Sequence, residues 1–241
     1  MPKRLLTPIF FFFVVSAFCQ GYYDPGGEGW YENMAKQQLR QLKSGALLIR
    51  LPENEVAIQA AKDRGFMKRA ESMQAELDAK NTELMRAFEE SFTFCSVYFF
   101  RASDTKHVIA QQWDSIQYVN KELQEDPTIQ FGGGSFLTAE ITLLRADTAS
   151  FEGDIVWRRN EDGELYETRT SNGGPDPGFE ALIIKSDELV QLHDPFPYWV
   201  RTWSSLPWKR DINRVVEIMN EKLTMWYERW DLHPEHLDEK K

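Results

Sequence analysis

Short apolar runs and longer amphipathic stretches alternate along the first hundred residues. The run "ALLIRL" (46–51) is bounded by Gly45 and Pro52, which is typical of a buried strand. The segment "FTFCSVYFF" (92–100) has mostly apolar side chains on both sides of an extended chain, which predicts an interior strand covered on two faces. A helical pattern lies between them. Strand, long helix and strand predict a right-handed βαβ unit with parallel strands.

Apolar residues at spacings of three, four or seven predict the helices. A short helix is expected over residues 33–43, ending near Gly45, and a second begins after Asn54, a favoured N-cap residue. Asp211 is the predicted N-cap of a terminal helix. The long helix and the terminal helix bury two stripes: Phe66, Ala70, Met73, Leu77, Leu84, Phe88; and Ile212, Val215, Met219, Leu223, Trp226, Trp230.

The second half of the chain changes to strand-like patterns. "SIQYVNKELQEDP" (115–127) and "ALIIKSDELVQLHDP" (181–195) each join two apolar runs through an acidic turn, so both are predicted to be β-hairpins. Between them, "FLTAEITLL" (136–144) alternates like a strand. In "DIVWRRNEDGELYETRT" (154–170), Asp162 and Gly163 are placed for a tight turn. These patterns predict an α/β fold: a mixed sheet with an N-terminal βαβ unit, later hairpins and a C-terminal helix.

Two resemblances accompany this element order. The succession of βαβ unit, hairpin and terminal helix resembles the thioredoxin-like fold, but the Cys-x-x-Cys motif of that family is absent, so the resemblance implies no redox activity. The segments "GALLIRL", "FTFCSVYFF" and "PFPYWVRT" resemble a group of exported bacterial proteins. That second resemblance implies export and no particular reaction.

The N-terminus predicts export independently. Lys3 and Arg4 precede an apolar run over 9–18 and then small residues, which is the three-part pattern of a signal peptide. The run is about half of the roughly 20 residues that span a bilayer, so the mature form is expected to have no transmembrane span. The predicted domains are a signal peptide (1–21), a flexible leader with a short helix (22–44), one α/β domain (45–230) and a disordered tail (231–241). The expected location is periplasmic or extracellular.

Composition excludes some partners. The chain has 241 residues, of which 42% are hydrophobic, and a formal charge of −10. An acidic protein repels phosphate backbones, so nucleic-acid binding is not expected. After the signal peptide is removed, Cys95 has no cysteine to pair with, and its mid-strand position predicts a buried structural thiol.

Polar side chains follow the ends of the two predicted parallel strands. Because ligands bind outside the carboxyl ends of such strands, these side chains form a candidate pocket. Two interpretations stay open: acid–base chemistry with an anion held by arginine, or helix capping with the remaining groups solvated. The residues are Glu53, Asn54, Arg101, Ser103, Asp104 and His107.

A second candidate is aromatic. Trp199, Trp203 and Trp208 form either a platform for sugar or peptide, or a connection packed onto the core. "FGGGS" (131–135) is followed by a strand pattern and predicts a turn instead of a phosphate loop. "HPEH" (233–236) has no third ligand at a metal-site spacing, so no metal or cofactor is expected.

These observations favour an exported protein that binds a small ligand or an envelope partner. The alternative is an enzyme: a degenerate thioredoxin-like protein, or a hydrolase whose catalytic residues are scattered along the chain. The sequence indicates no catalytic residue.

Overall fold

The computed structural model describes residues 29–144, 155–159, 165–169, 179–203 and 210–233. The chain divides into two compact units, Met1–Trp30 and Tyr31–Lys241, and the fold below is that of the second. The predicted signal peptide and residues 22–28 lie outside the described residues. The fold is mixed α/β, as the sequence predicts.

The elements follow the predicted order, with an additional short helix at 105–109 and an additional strand at 199–201 that the sequence did not predict. The helices are α1 (Trp30–Ser44), α2 (Glu55–Asp63), α3 (Met67–Ser91), α4 (Thr105–Ile109) and α5 (Ile212–Arg229). The strands are β1 (Ala46–Leu51), β2 (Ser96–Arg101), β3 (Phe136–Leu144), β4 (Ile155–Arg159), β5 (Leu165–Arg169), β6 (Phe179–Lys185) and β7 (Trp199–Arg201).

A five-stranded mixed sheet has the order β2-β1-β3-β6-β7. β1 pairs in parallel with β2 and with β3, whereas β6 and β7 join antiparallel. β4 and β5 form a separate antiparallel pair, with Arg159 opposite Leu165. The predicted Asp162–Gly163 turn between them lies outside the described residues.

The position of β2 corrects one prediction. Residues 92–100 were expected to form an interior strand, but β2 begins at Ser96 and lies at the edge of the sheet. Both faces of β2 are nevertheless covered near its end, because Phe99 is buried in one cluster and Phe100 in another. An apolar pattern reports which faces are covered, and it carries no information on whether another strand lies alongside.

The main core lies between one face of the sheet and helices α1, α3 and α5. Leu39 and Leu42 of α1 are fully buried there, so this core takes in α1 as well as the residues from 45 onward. Leu232 is also buried, just beyond α5. Within the described ranges, no helix is long and apolar enough to cross a membrane.

Helix α5 docks through the predicted stripe, with one correction. Val215, Met219 and Leu223 are completely buried, and Asp211 caps the helix by accepting a hydrogen bond from the Asn213 N–H at 2.9 Å. Trp226 and Trp230, both predicted members of the stripe, are only partly buried against this core. Tyr227 is buried in the last turn instead, because its ring packs edge-on against Phe94 at 5.8 Å.

The stripe on α3 divides between two clusters. Leu84 and Phe88 pack in the main core as predicted, while Ala70 forms a small cluster with Ile58 of α2, joined by Met73 and Leu77. Phe66 precedes the helix and is 55% exposed, so its predicted place in the stripe is wrong. The N-terminal part of the α3 stripe therefore packs on α2, and only its C-terminal part packs in the main core.

The opposite face of the sheet is covered by mostly irregular chain. Residues 102–135, which include α4, fold over β1, β2 and the start of β3, and their apolar side chains form a second cluster together with those of the strands. Its buried members are Ala46, Leu48, Phe100, Val108, Ile116, Tyr118, Phe131 and Phe136.

The two predicted hairpins contain the same turn. In residues 120–124, the Asn120 Oδ1 accepts N–H groups two and four residues ahead, and in 186–190 the Ser186 Oγ does the same. The fourth residue of each is a leucine with positive φ, Leu123 at 58° and Leu189 at 59°. Each turn is closed by a single antiparallel bridge, so the hairpins are shorter than their apolar runs suggest.

Candidate functional site

The carboxyl ends of β1 and β2 lie side by side, as predicted, with Leu51 opposite Arg101. This register brings Glu53 to Ser103, whose N–H donates to the Glu53 Oε2 at 2.7 Å. The Glu53 Oε1 lies 3.7 Å from the Arg101 Nη1. Both carboxylate oxygens are therefore engaged, and Glu53 stabilises the strand ends instead of acting as a free base.

Asn54 does not perform its predicted role. It occupies the N-cap position of α2, but its side chain makes no capping hydrogen bond. Its backbone angles, φ −102° and ψ 32°, lie outside the extended region in which a capping side chain reaches back to the helix.

Asp104 and His107 bind the following chain segment instead of Glu53. Asp104 is buried, and its Oδ2 accepts the N–H of Gln117 at 2.9 Å. The His107 Nδ1 lies 2.9 Å from the Gln112 Oε1. Both side chains thus fix residues 111–118.

The segment that they fix lines a groove of about 1080 Å³, which we call the amide groove. Residues 111–118 form one wall and residues 125–132 the other. Arg101 fixes the chain that leads into the second wall, because its Nη2 donates to the carbonyl oxygen of Leu123 at 2.7 Å. Three residues of the predicted pocket therefore position the groove without lining it.

The walls of the amide groove present amides around an aromatic side chain. Four glutamines have exposed side chains there: Gln111, Gln112, Gln117 and Gln130. Trp113 is half-buried between them, with its ring perpendicular to Phe131 at 4.9 Å and Phe136 at 5.1 Å. No periodic pattern marks these residues, so they could not be predicted from the spacing of apolar and polar positions. The density of glutamine around one tryptophan is the feature that distinguishes them.

Tyr118 at the base of the groove carries an unsatisfied polar group. Its hydroxyl is buried, and within the described part of the chain it has no hydrogen-bond partner. Burial, together with the neighbouring Tyr98 and Asp104, raises the pKa of Tyr118 to about 12, so the phenol stays protonated. A buried donor without a partner is costly in a folded protein and marks a place where a ligand or water contributes a bond.

A charged triad lies on the same face of the sheet, across β1, β3 and β6. Glu140 is buried, and its carboxylate accepts from Arg50 at 2.6 Å and from Lys185. Arg50 also donates to the Thr105 hydroxyl at 2.8 Å. Burial raises the pKa of Glu140, but the hydrogen bonds and charges of Lys185 and Arg50 outweigh it, and the net pKa is lowered. The triad is a fully paired network that joins three strands.

Comparison with known proteins found no match to a family model, a curated protein or a solved structure. Among the described residues, no group of three or more His, Cys, Asp or Glu side chains is arranged to hold a metal ion.

Cys95 lacks the features of a catalytic thiol. It lies just before β2, half-buried. Burial raises the pKa of its thiol to about 12, although the charge of Lys43 and a backbone hydrogen bond from Leu47 oppose this effect. The predicted mid-strand, buried position is wrong, because Cys95 precedes β2 and is only half-buried. A nucleophilic cysteine needs a lowered pKa, so the raised pKa still favours a structural role over a catalytic one.

Trp199 and Trp203 of the predicted aromatic platform differ in their surroundings. Trp199 packs on Phe179 with ring centroids 5.3 Å apart, and Lys222 lies over its ring at 5.3 Å. Trp203 is 47% exposed. Trp208 lies outside the described residues. Trp199 therefore serves as a packed connection before α5, and an aromatic platform is not assembled from the described pair.

Proposed function

We propose that the chain is an exported binding protein that holds a small ligand in the amide groove. The observation that carries the proposal is the groove itself. Its walls are fixed by the hydrogen bond that Arg101 donates to Leu123 and the one that Asp104 accepts from Gln117, and it presents amides and Trp113 to solvent. A pocket with preformed walls and a few convergent polar groups is the usual form of a ligand site.

The chemistry of the lining favours a neutral, hydroxyl-rich ligand such as a short saccharide. Glutamine amides both donate and accept, which matches hydroxyl groups, and a half-exposed indole suits the C–H face of a sugar ring. The carboxylates of Asp114, Glu125 and Asp126 also line the groove and repel phosphate or carboxylate ligands. The Tyr118 hydroxyl is buried beside this lining and has no hydrogen-bond partner among the described residues.

Binding is favoured over catalysis by the state of the ionisable groups. Glu53, Asp104 and His107 each have a partner within the fold. The alternative, a degenerate thioredoxin-like protein or a hydrolase, requires an activated thiol or a free acid–base pair. The high pKa of Cys95 argues against the first of these requirements.

Calorimetric titration of the purified protein with neutral oligosaccharides and their sulfated counterparts tests the ligand class. We expect neutral oligosaccharides to bind and sulfated ones to bind more weakly. Trp113→Ala and Gln117→Ala should abolish or weaken binding, whereas Gln59→Ala on the exposed face of α2 serves as the matched control. Unchanged affinity in both groove variants would refute the site.

Export has its own support in the N-terminal pattern and its own test. N-terminal sequencing of the protein recovered outside the cytoplasm should find a start near Gln20 or Tyr22. An intact Met1 on a protein that stays in the cytoplasm would contradict export, while leaving the ligand site open to separate measurement.

A further inference from the structure

The outer edge of β2 is only half covered. The carbonyl oxygen of Phe99 accepts the N–H of Val119 at 3.1 Å, so the backbone groups of Phe99 point away from β1. Because alternate residues of a strand point to the same side, the N–H and C=O of Val97 also point outward. Residues 118–119 cover the strand only near its end, through the bridge between Phe100 and Tyr118. Within the described chain, nothing pairs with the outward groups of Val97.

A groove of about 520 Å³ runs beside this open edge, between α3 and the turn at 119–122. On the α3 side the lining consists of Met85 and Phe88 of α3 and Phe92 just after it, which are buried, and of the exposed Glu89. Cys95, Val97 and Phe99 line the strand side. A strand added along the edge would therefore place every second side chain against an apolar wall, while its backbone pairs with Val97.

The rim of this edge groove is acidic. Glu89, Glu122 and Asp126 line it, and among the described lining residues Lys121 is the only cation, 4.0 Å from Glu122. Hydrogen bonds from Thr128 lower the pKa of Asp126, so it stays charged near neutral pH. An extended partner with basic side chains would complement this rim.

We propose that the edge of β2 binds an extended basic segment of a partner protein by strand addition. Apolar side chains of that segment alternate with Lys or Arg, the apolar ones facing α3. At about 3.3 Å per residue, the stretch from Cys95 to Phe99 spans on the order of 16 Å, enough for a short strand. A second copy of this chain is a poorer occupant, because it brings the same acidic rim and a net charge of −10.

The proposal goes beyond ligand binding in the amide groove, and its test is independent. A short synthetic peptide of alternating Lys and Val is titrated into the purified protein, beside a matched peptide with Glu in place of every Lys. Amide resonances of Val97 and Phe99 report the contact. We expect the Lys–Val peptide to bind and to shift both amides, and the Glu–Val peptide not to bind.

Two variants locate the contact. Val97→Pro removes the outward N–H without touching the pairing with β1, and should weaken the Lys–Val peptide at least about tenfold. Its folding is checked by circular dichroism. Glu89→Lys combined with Glu122→Lys changes only exposed side chains and should weaken it about tenfold. Glu83→Lys, an exposed position on α3 outside the groove, is the charge-matched control.

Several outcomes would overturn the proposal. They are equal binding of the Glu–Val peptide, unchanged affinity in the Glu89 and Glu122 double variant, or no binding of the Lys–Val peptide. Sedimentation analysis adds one more: self-association that Val97→Pro abolishes would make a second copy the occupant. Oligosaccharide binding in the amide groove should be unaffected by the Glu89 and Glu122 changes, so the two proposals fail separately.

Discussion

Replacing Glu140 with glutamine should cost the protein about 2–3 kcal/mol of unfolding free energy at pH 7. Breaking a fully buried ion pair by removing one partner costs roughly 3–5 kcal/mol, and an exposed pair contributes about 0–1 kcal/mol. The side chains of the triad are 31% exposed for Arg50, 19% for Lys185 and 11% for Glu140. The expected cost lies between the two limits because solvent screens the cations that remain.

The pH dependence separates this charge effect from a packing effect. The pKa of Glu140 in the folded protein is below its ordinary value of 4.5. Its charge therefore adds stability above about pH 4.5, and this contribution is lost as pH falls through the folded pKa. Glutamine cannot ionise. The difference in unfolding free energy between Glu140→Gln and the parent protein should therefore be largest near neutral pH and should disappear in acid.

Urea unfolding followed by tryptophan fluorescence, repeated from pH 7 to pH 3, measures this difference in unfolding free energy. Glu217→Gln removes an ion-pair partner of Arg214 on the exposed face of α5 and should cause no comparable change. A difference below about 0.5 kcal/mol at pH 7, or one that persists unchanged in acid, would refute the argument that the triad holds the three strands together through charge.

Three further predictions concern packing and reactivity. Met219→Ala should destabilise the fold by about 2–5 kcal/mol in the same assay, because the side chain is fully buried, whereas Met225→Ala, 49% exposed on the same helix, should have a far smaller effect. Gly45→Ala should strongly reduce the yield of folded protein, since its Cβ would overlap a backbone carbonyl oxygen of the loop before β3; Gly132→Ala, which meets nothing within 4 Å, is the control. Cys95 in the native protein should react slowly with iodoacetamide, at a rate that keeps rising above pH 9 because the thiol pKa is about 12; rapid labelling at pH 7 would contradict this environment.

Local sequence patterns predicted the limits of an element correctly where residues that start or stop such an element flank it. β1 has the predicted limits because Gly45 and Pro52 bracket an apolar run, and Asp211 begins α5 as an N-cap. The edge position of β2 and the exposure of Phe66 were not predictable in this way. Both depend on which distant element lies alongside, and periodicity reports only the spacing within one element.

The contacts of the candidate site were likewise predictable only in part. Glu53, Arg101 and Ser103 meet because parallel strands end at one edge of the sheet, which the sequence allowed. Asp104 ends a short 3₁₀ turn and His107 lies in α4, and both bond to residues 111–118 instead. The amide groove that they support is built from irregular chain, whose path depends on single long-range hydrogen bonds that leave no periodic trace in the sequence.

The parallel pairing of β1 with β3 affects how the chain folds as it is made. Ala46 pairs with Phe136, about 90 residues later in the chain. At a synthesis rate of roughly 5–20 residues per second, about 5–20 seconds pass before that partner emerges from the ribosome. Throughout this interval an apolar strand lacks one of its two neighbours, and such a segment readily pairs with other chains. Early shielding of β1 by α1 and α3 is therefore a condition for a productive yield, independent of the stability of the finished fold.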